Sequence, residues 1–189
     1  GLGDVYKRQK QNSYEDGENS IISFPEFLLL VLDVCTGGEQ PASHYQPDKL
    51  IEKFDALKTY FTAGEFYEKM LYYRLLLDYY TIRRDIKDGQ GNYSLILKGP
   101  KDDSDKLKQY QSMLYVSTEA FYNWLKPYLR KLEQDELHSC AEMLAFLKKE
   151  DNERHSILPA RKDLSYKASG NIRYWFWRLD YYLWEQRST

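Results

Sequence analysis

The residues able to do chemistry in this chain are scattered, and their spacing matches no catalytic arrangement. The three histidines, His44, His138 and His155, do not stand at the i, i+4 separation of a helical metal pair, and none lies beside a cysteine ligand. The two cysteines, Cys35 and Cys140, are far apart and match no metal spacing, so they read as free thiols in a reducing compartment. No G-x-S-x-G, P-loop or G-x-G-x-x-G occurs, and Gly89-Gln90-Gly91 lacks both a third glycine and a preceding strand. Carboxylates are plentiful, but on helices they read as solvated faces. The expectation is a chain with no catalytic, metal or cofactor residues of its own.

Two further groups invite a functional reading. Glu153–Pro159 is similar to the short His-containing segment of ββα-metal sites, where a histidine acts as general base beside a divalent ion. The Asn and His that such a site needs downstream are missing, and the segment reads as a surface loop. The basic pairs Arg83-Arg84 and Arg161-Lys162 are the candidate nucleic-acid contacts, through phosphate. Their simpler role is solubility at a helix end and in a loop, because the formal net charge of −2 gives the whole chain no pull toward a polyanion.

The elements that would carry these residues follow from composition and pattern. With 18 Tyr, 8 Phe and 4 Trp against 10 Gly and 6 Pro in 189 residues, long elements packed by bulky side chains are favoured over a many-stranded sandwich. The fold expected is all-α, an irregular bundle of six or seven helices around one long central helix. Gly1–Gln9 (GLGDVYKRQ) reads as translated sequencing adapter, an artefact, and residues 10–20 as a polar loop. Residues 21–189 form the helical domain.

A capping box, Ser23 with Glu26, and Pro25 in the first turn open a helix that is apolar almost all round and stops at Gly37-Gly38. A second helix spans Asp48 to Lys58, with Leu50, Ile51, Phe54 and Leu57 on one face. Thr62 and Glu65 cap the longest helix, predicted to run to Ile86. Its stripes, Phe66-Met70-Tyr73-Leu77-Tyr80 and Tyr67-Leu71-Leu75-Tyr79-Ile82, imply cover on more than one side. Arg83 and Arg84 would then lie in its last turn, facing the negative end of the helix dipole.

Asp88–Asn92 reads as a turn, and Tyr93–Lys98 as an irregular link, since a lone strand has no sheet to join. Further helices are expected over Asp103–Tyr115, over a segment capped by Ser117 or Thr118 and kinked or broken at Pro127, and over Asp135–Lys149. Asp151–Ser169 is a polar connection. The last helix starts near Gly170 and runs to the end; Ile172, Phe176, Leu179 and Leu183 form one apolar face, and Tyr174, Trp177, Tyr181 and Trp184 a second. Two apolar faces suggest a helix cut from a larger core. The longest apolar run, Phe27–Leu32, is too short to span a bilayer, so the expected location is cytoplasmic, with no membrane partner.

Four segments, in order, resemble one family. Ile21–Pro25 followed by Glu26–Leu32 is similar to its "FP-x-F-L-hydrophobic" helix, and Tyr72–Asp85 to its "RFLFDKYIIKRE" helix. Gln111–Ser117 resembles its "QSM-hydrophobic" segment, and Trp177–Trp184 its "LDYLLW" helix. This is the GmrSD-type family, which joins an N-terminal ParB-like nuclease/NTPase domain to a C-terminal HNH nuclease domain. The resemblance covers most of Ile21 to Trp184 and maps to the helical middle region. It implies a parent endonuclease in DNA restriction or phage defence that uses Mg²⁺ and a nucleotide and acts on DNA. The partners of this chain would be the flanking ParB-like and HNH domains of the same polypeptide. Neither domain's motif is present, so no catalytic residue is carried over, and the chain would be a non-catalytic scaffold. The other reading of the same residues is a free-standing helical protein-interaction module.

Overall fold

The computed structural model describes residues 17–38, 40–86, 92–117, 119–157 and 172–188. Among them are seven α-helices: α1 (Phe24–Cys35), α2 (Leu50–Leu57), α3 (Ala63–Tyr80), α4 (Ser104–Val116), α5 (Phe121–Glu133), α6 (Cys140–Arg154) and α7 (Ile172–Arg187). Three strands accompany them: β1 (Gly17–Ser20), β2 (Ile82–Ile86) and β3 (Tyr93–Leu97). The fold is therefore mostly α with one small antiparallel sheet, and the all-α expectation is corrected on that point.

Capping chemistry sets the starts of three helices. At α1, Ser23 Oγ accepts from the Glu26 N–H at 3.4 Å while the Glu26 carboxylate accepts from the Ser23 N–H at 2.7 Å. At α3, Thr62 and Glu65 make the same reciprocal pair. The third box, Ser139 with Glu142, opens α6. The sequence reading started this helix at Asp135 and ended it at Lys149; the Ser139 cap moves the start later, and the helix runs on to Arg154.

The His138 N–H at 2.7 Å, with the Ser139 N–H at 3.2 Å, holds the Glu142 carboxyl below the usual carboxylate range. Its contribution to stability is complete above that range and disappears as pH falls through the lowered folded value. Ser139→Ala should cost about 1 kcal/mol at neutral pH. Because both N–H groups that hold Glu142 down are backbone donors that this variant keeps, the acid limb of its stability-versus-pH curve, followed by urea titration, should stay close to that of the unaltered protein.

The largest correction concerns the region after α3. This helix ends at Tyr80 rather than Ile86, and Thr81 is extended, with φ −121° and ψ 156°. Buried Gln111 of α4 makes the switch: its side-chain oxygen accepts from the Ile82 N–H at 2.9 Å and its amide donates to the Tyr80 carbonyl at 3.0 Å. Both groups freed where the helical ladder stops are thus satisfied inside the core. Residues 82–86 then form the central strand, paired antiparallel with β1 (Gly17 opposite Ile86, Ser20 opposite Arg83) and with β3 (Ile82 opposite Leu97, Ile86 opposite Tyr93). Residues 17–20 and 93–97, read as loop and link, are strands because each finds an edge of β2.

Helix order in space follows the apolar faces. α1 packs on α3, α3 on α5, α5 on α6, and α4 lies against both α6 and α7, while β2 and β3 lean on α4. The core they enclose includes Phe27, Leu30, Tyr73, Leu77, Leu107, Tyr110, Leu114, Trp124, Tyr128, Leu129 and Tyr174. α1 is buried along Phe27 and Leu29–Asp33, and Gly37 and Gly38 follow it at φ +100° and +76°. Expected inward positions Leu107, Tyr110, Met113 and Leu114 of α4 are all buried.

Other expectations shift. α5 passes through Pro127 without a break, and its N-cap is Ala120; Ser117 instead closes α4, and Thr118 lies outside the described residues. α2 is shorter than expected, preceded by a 3-10 turn over Pro47–Lys49, and buries no residue; Ile51 is 78% exposed. In α3 only the stripe containing Tyr73 and Leu77 is buried. Tyr67, Leu71, Leu75 and Tyr79 of the other stripe stand in solvent, so this helix is covered on one side, not two. No helix among the described residues is long and apolar enough to cross a membrane. Residues 1–9, Gly89–Gly91 and Arg161-Lys162 lie outside the described residues.

Candidate functional site

Arg83 and Arg84 sit on β2, not in a helix turn, and both are half-buried. Arg83 Nη1 lies 3.7 Å from Asp78 Oδ1, while Asp78 is also held by Arg74 at 2.8 Å. Arg84 Nη2 donates to the Ser20 carbonyl at 3.1 Å, and its guanidinium lies 6.0 Å from the Tyr93 ring centroid. As neighbours on a strand the two arginines point to opposite faces, so they do not form one phosphate-binding fork. Both act within the fold, tying β1 and α3 to the sheet.

The densest polar arrangement was not read from the sequence. Asp151 is wholly buried and belongs to α6, although its position had been assigned to a polar connection. Tyr110 of α4 donates to its Oδ2 at 2.7 Å, and Tyr174 of α7 donates to it at 2.8 Å. Arg178 donates to the Tyr174 hydroxyl oxygen at 2.7 Å, reaches within 3.9 Å of Asp151, and lies over the Tyr174, Trp175 and Tyr182 rings. One carboxylate therefore joins three helices. The available signal was register: Asp151 follows Cys140, Met143 and Leu147 on the inward face of α6, a charged residue where the period calls for an apolar one.

His155, expected in a surface loop, caps the end of α6. Its ring stacks on Tyr174 with centroids 4.0 Å apart, and its Nε2 lies 3.3 Å from Glu119 Oε2 and 3.8 Å from Asp151 Oδ1. The cluster has the residue types of an acid–base site but the wiring of a latch. Burial, reinforced by Asp151, pushes the phenols of Tyr110 and Tyr174 well above the ordinary tyrosine value. Both stay protonated donors through the neutral range, and Asp151 spends its oxygens on them. What the arrangement does is hold α7 against α4 and α6.

A similar knot closes the other end of the bundle. Asp33, wholly buried at the end of α1, accepts from Lys126 Nζ of α5 at 2.9 Å, from the Tyr45 hydroxyl and from the Gln40 N–H at 3.2 Å. His44 beside it is buried and its Nε2 lies 2.9 Å from the Leu29 carbonyl, while exposed His138 stands apart from both knots. Cys35 and Cys140 are free thiols, and burial raises both. Among the described residues no group of three or more His, Cys, Asp or Glu is placed to hold a metal ion.

With the inner face of α7 pinned through Tyr174 and Tyr181, its outer face is open. Phe176, Leu179 and Leu183 of the first apolar face and Trp177 of the second are 40–56% exposed. Beside them a groove of about 450 Å³ runs between α4 and α7, lined by Met113, Val116, Trp177, Leu183 and Trp184 with Asp180 and Arg187. Four exposed large apolar side chains within about two helical turns, next to a groove of mixed polar and apolar lining, form a patch of the kind that marks a contact surface. Compared with protein-family models, curated proteins and solved structures, the chain gives no match.

Proposed function

We propose that this chain is the non-catalytic helical scaffold of a DNA-restriction or phage-defence endonuclease of the GmrSD type. It holds a ParB-like domain and an HNH domain of the same polypeptide in a set relation to each other. The observation that carries this reading is α7. Its sequence resembles the family's "LDYLLW" helix, its inner face is locked by the Asp151 cluster, and its outer face presents Phe176, Trp177, Leu179 and Leu183 uncovered. A helix rigid on one side and apolar on the other is suited to receive a second body without changing its own position. In this reading the flanking domains bring Mg²⁺, nucleotide and DNA, and this chain brings geometry.

Two measurements test it. Sequencing the genomic locus on both sides should reveal an in-frame ParB-like motif upstream and an HNH motif downstream; a stop codon directly after Thr189 would overturn the proposal. The purified chain incubated with plasmid DNA and Mg²⁺ should leave the DNA intact, while the full-length parent cuts it. Cleavage by the chain alone that a single point variant abolishes would equally sink the scaffold reading.

A further inference from the structure

The second exposed apolar surface lies on α3, away from the α4–α7 groove, and goes beyond the scaffold reading. Tyr67, Leu71, Leu75 and Tyr79 follow one another at intervals of four along this 18-residue helix and are 59, 47, 68 and 48% exposed. Residues four apart form the ridge most often used in helix-to-helix packing. Tyr72, 43% exposed, widens it. Glu68, Arg74 and Asp78 are the charged residues along this face, and Arg74 and Asp78 pair with each other at 2.8 Å.

The order of side chains along the ridge is Tyr, Leu, Leu, Tyr, which reads the same in both directions. A two-fold symmetric contact requires such self-complementarity, since each position must accept its symmetry mate. Laid antiparallel about Tyr73, Tyr67 of one copy meets Tyr79 of the other, and Leu71 meets Leu75. Glu68 then faces Asp78 of the second copy, whose carboxylate is held by its own Arg74 at 2.8 Å and lies 3.7 Å from Arg83. Exposed by about half, the five side chains offer roughly 100 Å² each, against the 150–250 Å² a large aromatic buries in full. That is about 500 Å² per copy and about 1,000 Å² in the pair, the lower bound for a specific interface.

From this palindrome we infer that the chain forms an antiparallel two-fold dimer through α3, the occupant of the ridge being a second copy of itself. The interface is at the small end, so the dimer exchanges with monomer in the micromolar range.

Light scattering coupled to size exclusion, or sedimentation velocity, tests this on the purified chain. The mass should rise from 22.6 kDa toward twice that value as concentration increases from low to high micromolar. Leu71→Glu and Leu75→Lys change solvent-facing positions, so both variants should keep the far-UV dichroism of the parent and stay monomeric, with association weakened at least ~10-fold. Because Leu71 faces Leu75 of the second copy, an equimolar mixture of the two variants should dimerise again, and so should the double variant. A parent chain that remains monomeric throughout overturns the inference and leaves the ridge to another segment or another protein. A dimer indifferent to Leu71→Glu places the interface elsewhere and also overturns it. Single variants that dissociate without rescue in the mixture overturn the antiparallel register.

Discussion

Replacing Asp151 by alanine is expected to cost about 3–5 kcal/mol, because the remaining partners stay buried without it. The carboxylate accepts from Tyr110 and Tyr174 and lies within 3.9 Å of Arg178. Its removal takes a buried acceptor from the Tyr110 and Tyr174 hydroxyls, each costing roughly 1–3 kcal/mol, and strips Arg178 of a carboxylate 3.9 Å away. Asp151→Asn should be milder, since the amide oxygen still accepts one hydroxyl while the amide N–H₂ meets a second donor. The midpoint of urea unfolding should order the three proteins as parent, Asn, Ala. A loss of under about 1 kcal/mol for the alanine variant would show that water replaces the carboxylate, and would remove the latch from the account of α7.

The same substitution separates a local from a global role. Asp151 joins α4, α6 and α7, and the outer face of α7 contributes nothing to the core of this chain. Loss of the latch should therefore release the first turns of α7 before the rest. Amide exchange should accelerate most in the first turns of Ile172–Arg187, around Tyr174, and beyond that of α1 and α5, while buried Tyr181 and the Lys148–Glu185 pair at 2.7 Å still hold the later turns. On the scaffold reading proposed above, this ties stability to function, since a helix that frays cannot hold a docked domain.

How much of this was legible in the sequence depends on the range over which each feature is decided. Capping boxes are decided within four residues, and Ser23/Glu26 and Thr62/Glu65 mark true helix starts. The Ser139/Glu142 box is equally local and marks a third start, four residues after the expected Asp135. The sheet was hidden for a different reason. Ile82 and Ile86 are four apart and extend the α3 period, while Arg83, Arg84 and Asp85 between them carry no strand signature. What turns the chain is Gln111, twenty-nine residues on from Ile82, and β1, which lies far upstream. Pairing across such distances leaves no trace in a window of helical length. Periodicity also reports that a face is apolar, not that anything covers it. Phe66-Met70-Tyr73-Leu77 and Tyr67-Leu71-Leu75-Tyr79 look alike as patterns, yet one stripe lies against the bundle and the other stands in solvent.

Asp33 gives the second large effect, and its pairing allows a sharper experiment than a single truncation. Asp33→Ala should destabilise by about 3–5 kcal/mol, since Lys126 then keeps a buried ammonium with no counter-charge. Lys126 sits on α5 with a side chain only 15% exposed, its ammonium 5.9 Å from the Tyr45 ring centroid. Removing both charges together should cost less than removing Asp33 alone. In Asp33→Ala with Lys126→Met the burial penalty of both ions vanishes, and only the Tyr45 hydroxyl and the Gln40 N–H lose an acceptor. The double variant is therefore expected to recover about half or more of the single-variant loss, giving a coupling of roughly 1.5–3 kcal/mol in a double-mutant cycle read by urea unfolding. Strict additivity would mean that Asp33 acts through its neutral hydrogen bonds to the loop after α1. In that case Tyr45→Phe, which deletes one of those bonds and no charge, should reproduce a large share of the loss. The charge account predicts instead that Tyr45→Phe costs only about 1 kcal/mol, because the Lys126–Asp33 pair that joins α5 to α1 survives it.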